Sequence, residues 1–263
     1  MSAFIGMVAG SMGAVWLVWK PEGRAMEWLQ VGLLLVISIA MVVYISWRAE
    51  RWAALLRHGA ALLEAGDLSA AQRVLKDAEG HALLAPEHVL ARLYLGCCAL
   101  FQGRVDTARS ELLALSRGWR TWEAPDAYAA APDMLAACLA LEGELVEARH
   151  WLEIAHRRHR PVAATFSLGE VLILCREECY GAAVRLLDDR LDATAKKQVQ
   201  ARRLFGLLRA FAWDALTAEG GASGEEQKGL DSVRPGEFSY LGAQWPRMAA
   251  FLHARGLRDK EAA

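Results

Sequence analysis

The chain has 263 residues, a formal net charge of -1 and a hydrophobic fraction of 54%. So even a charge balance leaves no electrostatic footprint for nucleic acid or for a strongly acidic substrate. The sequence contains no asparagine, which excludes N-linked glycosylation. Its five cysteines, Cys97, Cys98, Cys138, Cys175 and Cys179, are odd in number and lie within apolar helical pattern, which argues for free thiols in a reducing compartment.

Residues 28–47 read WLQVGLLLVISIAMVVYISW, without a single charge. Twenty helical residues extend about 30 Å, the thickness of a bilayer's hydrocarbon layer. Residues 4–19 form a second, shorter apolar segment in which Gly6, Gly10 and Ala14 recur every four residues, a spacing that lets helices approach closely in lipid. That segment lacks the basic start and small-residue cleavage site of a secretory signal. The connection KPEGRAME, residues 20–27, carries Pro21 and Gly23 as breakers. Residues 1–48 are therefore expected to form a transmembrane helical hairpin, with Trp16, Trp19, Trp28, Tyr44 and Trp47 at the membrane interfaces. The alternative leaves the first segment lying in the interface. Arg48, Arg51 and Arg57 follow the second span, against Lys20 and Arg24 in the connection, so the positive-inside rule predicts that the rest of the chain is cytoplasmic.

Beyond Arg48 the pattern becomes alanine- and leucine-rich helices broken at Gly-Asp or Gly-Arg. The stretches 55–78, 92–115 and 132–155 align on Gly66, Gly103 and Gly143. Five residues after each glycine stand Ala71, Ala108 and Ala148, and four further on Leu75, Leu112 and Leu152. A fourth unit offers Ala183 and Leu187 without the glycine. Each such helix pair has an apolar stripe that it cannot bury alone, so neighbouring pairs are expected to stack.

These residues resemble the tetratricopeptide repeat, in which a small residue begins the turn between helices A and B and an alanine lets B pack on A. Gly59 and Gly96 match the family's small helix-A position, where Ala136 and Val171 stand in units three and four. The resemblance covers roughly residues 50–190, although unit spacings of 37, 40 and 35 residues depart from the family's usual 34. It implies an all-α fold: an N-terminal transmembrane hairpin, then a solenoid of about four helix pairs over residues 49–218, a flexible linker over 219–236 and a C-terminal helix and tail over 237–263. The layout is similar to that of HemY-type proteins, which places the chain in a bacterial inner membrane.

The resemblance also implies a groove lined by helix-A residues. Transferred by the alignment, it comprises Glu64, Leu93, Cys97, Phe101, Asp133, Leu172 and Arg176, with Ala60, Leu63, Leu100, Ala137, Leu141 and Leu168 beside them. A mostly apolar groove suits an amphipathic helix or a membrane-protein segment as partner. Trp119 and Trp122 stand in an insertion, where loop aromatics either staple the insertion onto the array or serve as partner contacts. His156, Arg157, Arg158, His159 and Arg160 end a helix, as a solvated basic terminus or as a patch for anionic lipid. The tail's Trp245, Met248, Phe251 and Leu252 are spaced to dock back on the repeats or to bind a partner. No catalytic, cofactor or metal signature is read, and the expected function is a membrane-anchored scaffold for a protein partner. The alternative is an accessory subunit of a membrane enzyme, or an enzyme using the region of His150, His156 and His159.

Overall fold

The computed structural model describes residues 24–118, 123–158, 168–193, 199–217, 230 and 232–258. Among these residues there are ten α-helices, one 3-10 helix and no strand. In chain order the α-helices are α1 (Arg24–Ala65), α2 (Leu68–His81), α3 (Ala85–Phe101), α4 (Val105–Arg117), α5 (Pro125–Glu142), α6 (Leu145–Arg158), α7 (Leu168–Arg176), α8 (Tyr180–Ala193), α9 (Val199–Thr217) and α10 (Pro246–Ala254), with the 3-10 turn Ser239–Gly242 before the last. The chain divides into two compact units, Met1–Glu50 and Arg51–Ala263, with the boundary inside α1.

In the first unit, α1 supplies the one helix among the described residues that is long and apolar enough to cross a membrane, and none of its apolar window is buried within the protein. Val31, Leu33, Leu35, Val36, Ile37, Ile39, Met41, Val42 and Val43 are all exposed, so apolar groups surround the helix rather than marking one face. Residues 24–27, expected in the hairpin connection, belong to α1 instead. Arg, Ala, Met and Glu are all strong helix formers, and no breaker follows Gly23. The expected first span, 4–19, lies outside the described residues.

In the second unit, helices pack against their sequence neighbours, and α3, α5, α7 and α9 also pack side by side in that order. The joints between α1 and α2, α3 and α4, α5 and α6, and α7 and α8 share one hydrogen-bond pattern. The N–H groups of Gly66, Gly103, Gly143 and Glu178 bond to the carbonyls of Leu63, Leu100, Ala140 and Cys175. The N–H groups of Asp67, Arg104, Glu144 and Cys179 reach back to Leu62, Ala99, Leu139 and Leu174. This is the Schellman closure, which needs a residue in the left-handed region. Gly66, Gly103 and Gly143 adopt φ of 87°, 77° and 88°, and Glu178 takes the same place at 64°.

Each closure drops the second helix onto the first. Ala71, Ala108, Ala148 and Ala183 are fully buried at the crossing. At Gly59 an added Cβ would lie 2.7 Å from the Cγ of buried Leu75, and at Gly96 it would lie 3.1 Å from Leu112, so both glycines are seats for the leucine of the following helix. The core runs as one cluster from α3 to Leu257, with a smaller one of Leu63, Ala71, Leu75 and Cys98 at the first pair.

A second periodic contact joins successive pairs. The residue preceding each left-handed position meets the residue following the buried alanine of the previous pair. Gln102 donates to Gln72 at 3.4 Å, Arg109 donates to Glu142 at 2.7 Å, and Arg149 donates to Glu177 at 2.6 Å. Burial holds the Glu142 carboxyl above the usual carboxylate range, while Arg109 pulls it back.

The non-glycine in this row gives a test. A left-handed conformation costs a residue with a side chain about 1 kcal/mol or more. The ion pair of Glu178 with Arg247, 60% exposed on both sides, is solvent-screened and offsets little of that cost. Glu178→Gly is expected to raise the midpoint of thermal unfolding by about 2 °C. Glu178→Ala, which keeps the strain and loses the ion pair, is expected to lower it slightly. Thermal scans in detergent monitored by thiol unmasking would report both.

Candidate functional site

The helix-A positions expected to line a groove do not form an open channel. Leu93 and Leu172 are buried, at 7% and 1% exposure, with Leu100, Ala137, Leu141 and Leu168 buried beside them. Cys97 and Phe101 are partly buried against both core clusters. Glu64 is half-buried. Asp133, on α5, stands against α7, where a Cβ on Gly169 would come within 2.8 Å of its carbonyl oxygen and 3.1 Å of its Oδ1.

Beside these helices, the chain's own C-terminal segment follows the turns and engages Arg176. Residues 237–247 run along the row of left-handed turns in order. Glu237 pairs with Arg203 at 3.3 Å, and Arg203 and Gln200 abut the turn at Gly66. Tyr240 packs on Gly103, where a Cβ would lie 2.7 Å from its own. Arg176 donates to the Gln244 carbonyl at 3.1 Å, lies 5.2 Å from the centre of the Trp245 ring, and fills the space over Gly143. Arg247 reaches Glu178 at 2.6 Å and the Tyr180 hydroxyl at 3.0 Å. Burial lowers the Arg176 pKa and raises that of Tyr240.

Behind this edge, Phe211 of α9 meets Tyr180, Trp245 and Phe251 in edge-to-face contacts, with centroids 5.8, 4.9 and 5.5 Å apart. Trp245, Met248, Phe251 and Leu252, read from the tail at helical spacing, are all buried. The expected linker over 219–236 is shorter at its end: Val233 joins the core, and the Gly236 N–H bonds to the Leu257 carbonyl. An apolar valine beside a turn glycine anchors what composition alone reads as a spacer. Residues 218–229 and 231 lie outside the described residues.

The basic helix end is put to internal use. Pro132 stands inside α5 and has no N–H, so the carbonyl of Tyr128, four residues earlier, loses its helical donor. Arg158 reaches that carbonyl at 3.4 Å, donates to the Ser116 carbonyl in the last turn of α4 at 3.1 Å, and lies 4.2 Å from the Tyr128 ring centre. One guanidinium thus serves two orphaned carbonyls. Arg157 donates to the Glu153 carbonyl of its own helix, and His156 lies 3.9 Å from Glu170. His159, Arg160, Trp119 and Trp122 lie outside the described residues, as do Trp16 and Trp19, and of Trp28 only the backbone is described. Tyr44 and Trp47 are exposed with rings 6.4 Å apart, and Arg48 donates to the Tyr44 hydroxyl.

Among the described residues no group of three or more His, Cys, Asp or Glu could hold a metal ion. His150 borders a shallow open depression of about 610 Å³ lined by residues 143–147. The cysteines are free. Burial pushes the Cys97 thiol up to about 12, Cys98 to about 11 and Cys175 to about 12, and raises Cys138 as well. Cys179 is exposed.

Among the described residues these features define a helical protein with one helix long and apolar enough to cross a membrane, and a helical body whose own C-terminal segment lies along the edge built by its turns. No family model, curated protein or solved structure matches the chain.

Two expectations follow. Arg158→Ala is expected to destabilise the fold by about 2 kcal/mol, because two carbonyls lose a charged donor. Adding Pro132→Ala, which returns an N–H to Tyr128, should recover about half of that. A double-mutant cycle in denaturant would measure the coupling, with Arg157→Ala as the near-neutral control. Separately, a maleimide at pH 7 is expected to modify Cys179 in the folded protein within minutes and the other four thiols only on unfolding, since they carry almost no thiolate at that pH. Intact-mass analysis of wild type and Cys179→Ser would check it.

Proposed function

We propose that the chain is a membrane-anchored helical-repeat module, similar to tetratricopeptide arrays, that holds a protein partner at the surface of a bacterial inner membrane with its repeat domain in the cytoplasm. The observation that carries this reading is the fourfold recurrence of one turn, with the same closure and the same buried alanine, and a polar contact repeated at the three junctions between pairs. A stack of equivalent pairs is a way to build a long binding surface from short helices. The apolar circumference of α1 over residues 31–43 supports the anchoring half, since a stretch with no polar face is poorly suited to water. Tyr44, Trp47 and Arg48, clustered at one end of that stretch, are the residue types that settle at a headgroup boundary. The partner that best suits apolar helix faces is an amphipathic helix or the cytoplasmic segment of another membrane protein.

Three measurements bear on this. Full-length protein is expected to stay with membranes through an alkaline carbonate wash. Val36→Arg with Val42→Arg should release or destabilise it, because each arginine at mid-membrane costs about 3 kcal/mol. In spheroplasts, an impermeant maleimide should leave Cys179 unlabelled until the membrane is lysed; labelling beforehand would reverse the orientation. Tagged protein purified in mild detergent should carry a recurring protein in near-equal amount by mass spectrometry. Its consistent absence would remove the scaffold reading.

A further inference from the structure

Residues 237–247 do not simply pack on the body: they visit its four turns one after another, at intervals of three or four residues. Glu237 serves the first turn through Arg203, Tyr240 the second, Gln244 and Trp245 the third through Arg176, and Arg247 the fourth. A segment read by successive repeats in this way is what a peptide ligand of a repeat array looks like, here supplied by the same chain.

The two halves of the segment are held differently. Residues 245–252 are anchored by aromatic contacts around Phe211, with Trp245, Met248, Phe251 and Leu252 buried. In the first half, Ser239–Gly242 has the poorer geometry of a 3-10 turn. At their polar end the Gln200 Oε1 atom, on a residue only 3% exposed, and the Arg203 Nε atom are buried without hydrogen-bond partners among the described residues. Buried polar atoms left in this state favour any arrangement that pairs them. The first half thus holds Phe238 and Leu241 in the core but abuts unpaired polar atoms of α9, and it lies over the turns of the first two pairs.

We propose that the row of turns is a peptide-binding edge whose resting ligand is the chain's own segment 237–247, and that residues 237–242 exchange with a partner segment carrying an acidic group followed by aromatics while α10 stays anchored. The inference rests on the partner-binding reading above and supplies its regulation: the edge is masked in the free protein, and apparent affinity for a partner falls by the fraction of chains that are closed.

The test uses full-length protein in detergent micelles. Amide hydrogen exchange on wild type should show residues 237–241 exchanging about 100-fold faster than residues 249–252, as expected for a separately opening unit. A fluorescent peptide copying residues 230–245 should bind Phe238→Glu protein about tenfold or more tightly than wild type, with the four protected thiols of the variant still unreactive. Equal exchange in the two halves, no gain in peptide affinity, or a Phe238→Glu chain whose protected thiols all become reactive would overturn the proposal. If the peptide result holds but the variant purifies with no more protein than wild type, the edge is real and the partner reading is the one that fails.

Discussion

Much of this molecule depends on a single backbone feature, a left-handed residue placed where one helix ends and the next must fold back onto it. That residue lets the last carbonyls of the first helix be satisfied internally, so the chain can reverse without leaving orphaned polar groups in a tightly packed joint. It fixes the phase of the second helix, and so decides that an alanine rather than a leucine meets the first helix at the crossing. It leaves no Cβ at Gly66, Gly103 or Gly143, which is why neighbouring side chains can close down on those turns. The same three glycines therefore set the fold-back of each pair and the shape of the edge the C-terminal segment follows.

The fourth turn shows how firmly the geometry is imposed. Glu178 adopts the unfavourable conformation because the hydrogen bonds of the closure and the buried Ala183 and Leu187 of the following helix demand it. A residue with a side chain at this place also offers something glycine cannot, a carboxylate for Arg247. The inter-pair polar contact follows from the same phase. Once the turn and the alanine are fixed, the residues beside them face each other across successive pairs, and Gln72–Gln102, Arg109–Glu142 and Arg149–Glu177 fill those places with whatever complementary chemistry is present.

Helical content, the long apolar helix and the spacing of glycine, alanine and leucine were legible in the sequence because each is a local pattern with a direct physical cause. Glu178 was not, since nothing in a glutamate announces a left-handed backbone; only its register, five residues before Ala183, points to it. The polar contact between pairs had a signal, the residue after each alanine facing the residue before the next turn, but it emerges only when two units are read together. The role of Arg158 was hidden by its neighbours: a basic run at a helix end reads as a solvated patch until Pro132 is recognised as leaving a carbonyl without its donor. The course of the C-terminal segment along the turns could not be foreseen from the repeats, because its residues lie beyond a glycine-rich stretch that resembles a spacer.

Once the C-terminal segment is in place, little apolar surface is left on the helical body. Among the described residues the exposed large hydrophobic side chains outside α1 are Leu83, Leu84 and Val146, whereas residues 31–47 contribute eleven. The two units thus solve the same problem in opposite ways. The body buries its apolar faces pair against pair and closes the remaining edge with its own tail. The helix α1, apolar around its circumference, finds no such cover within the described chain, and an apolar solvent is the environment in which that surface would carry no penalty. The contrast is one of apolar surface: on the body it is packed away, whereas along residues 31–47 it stays open.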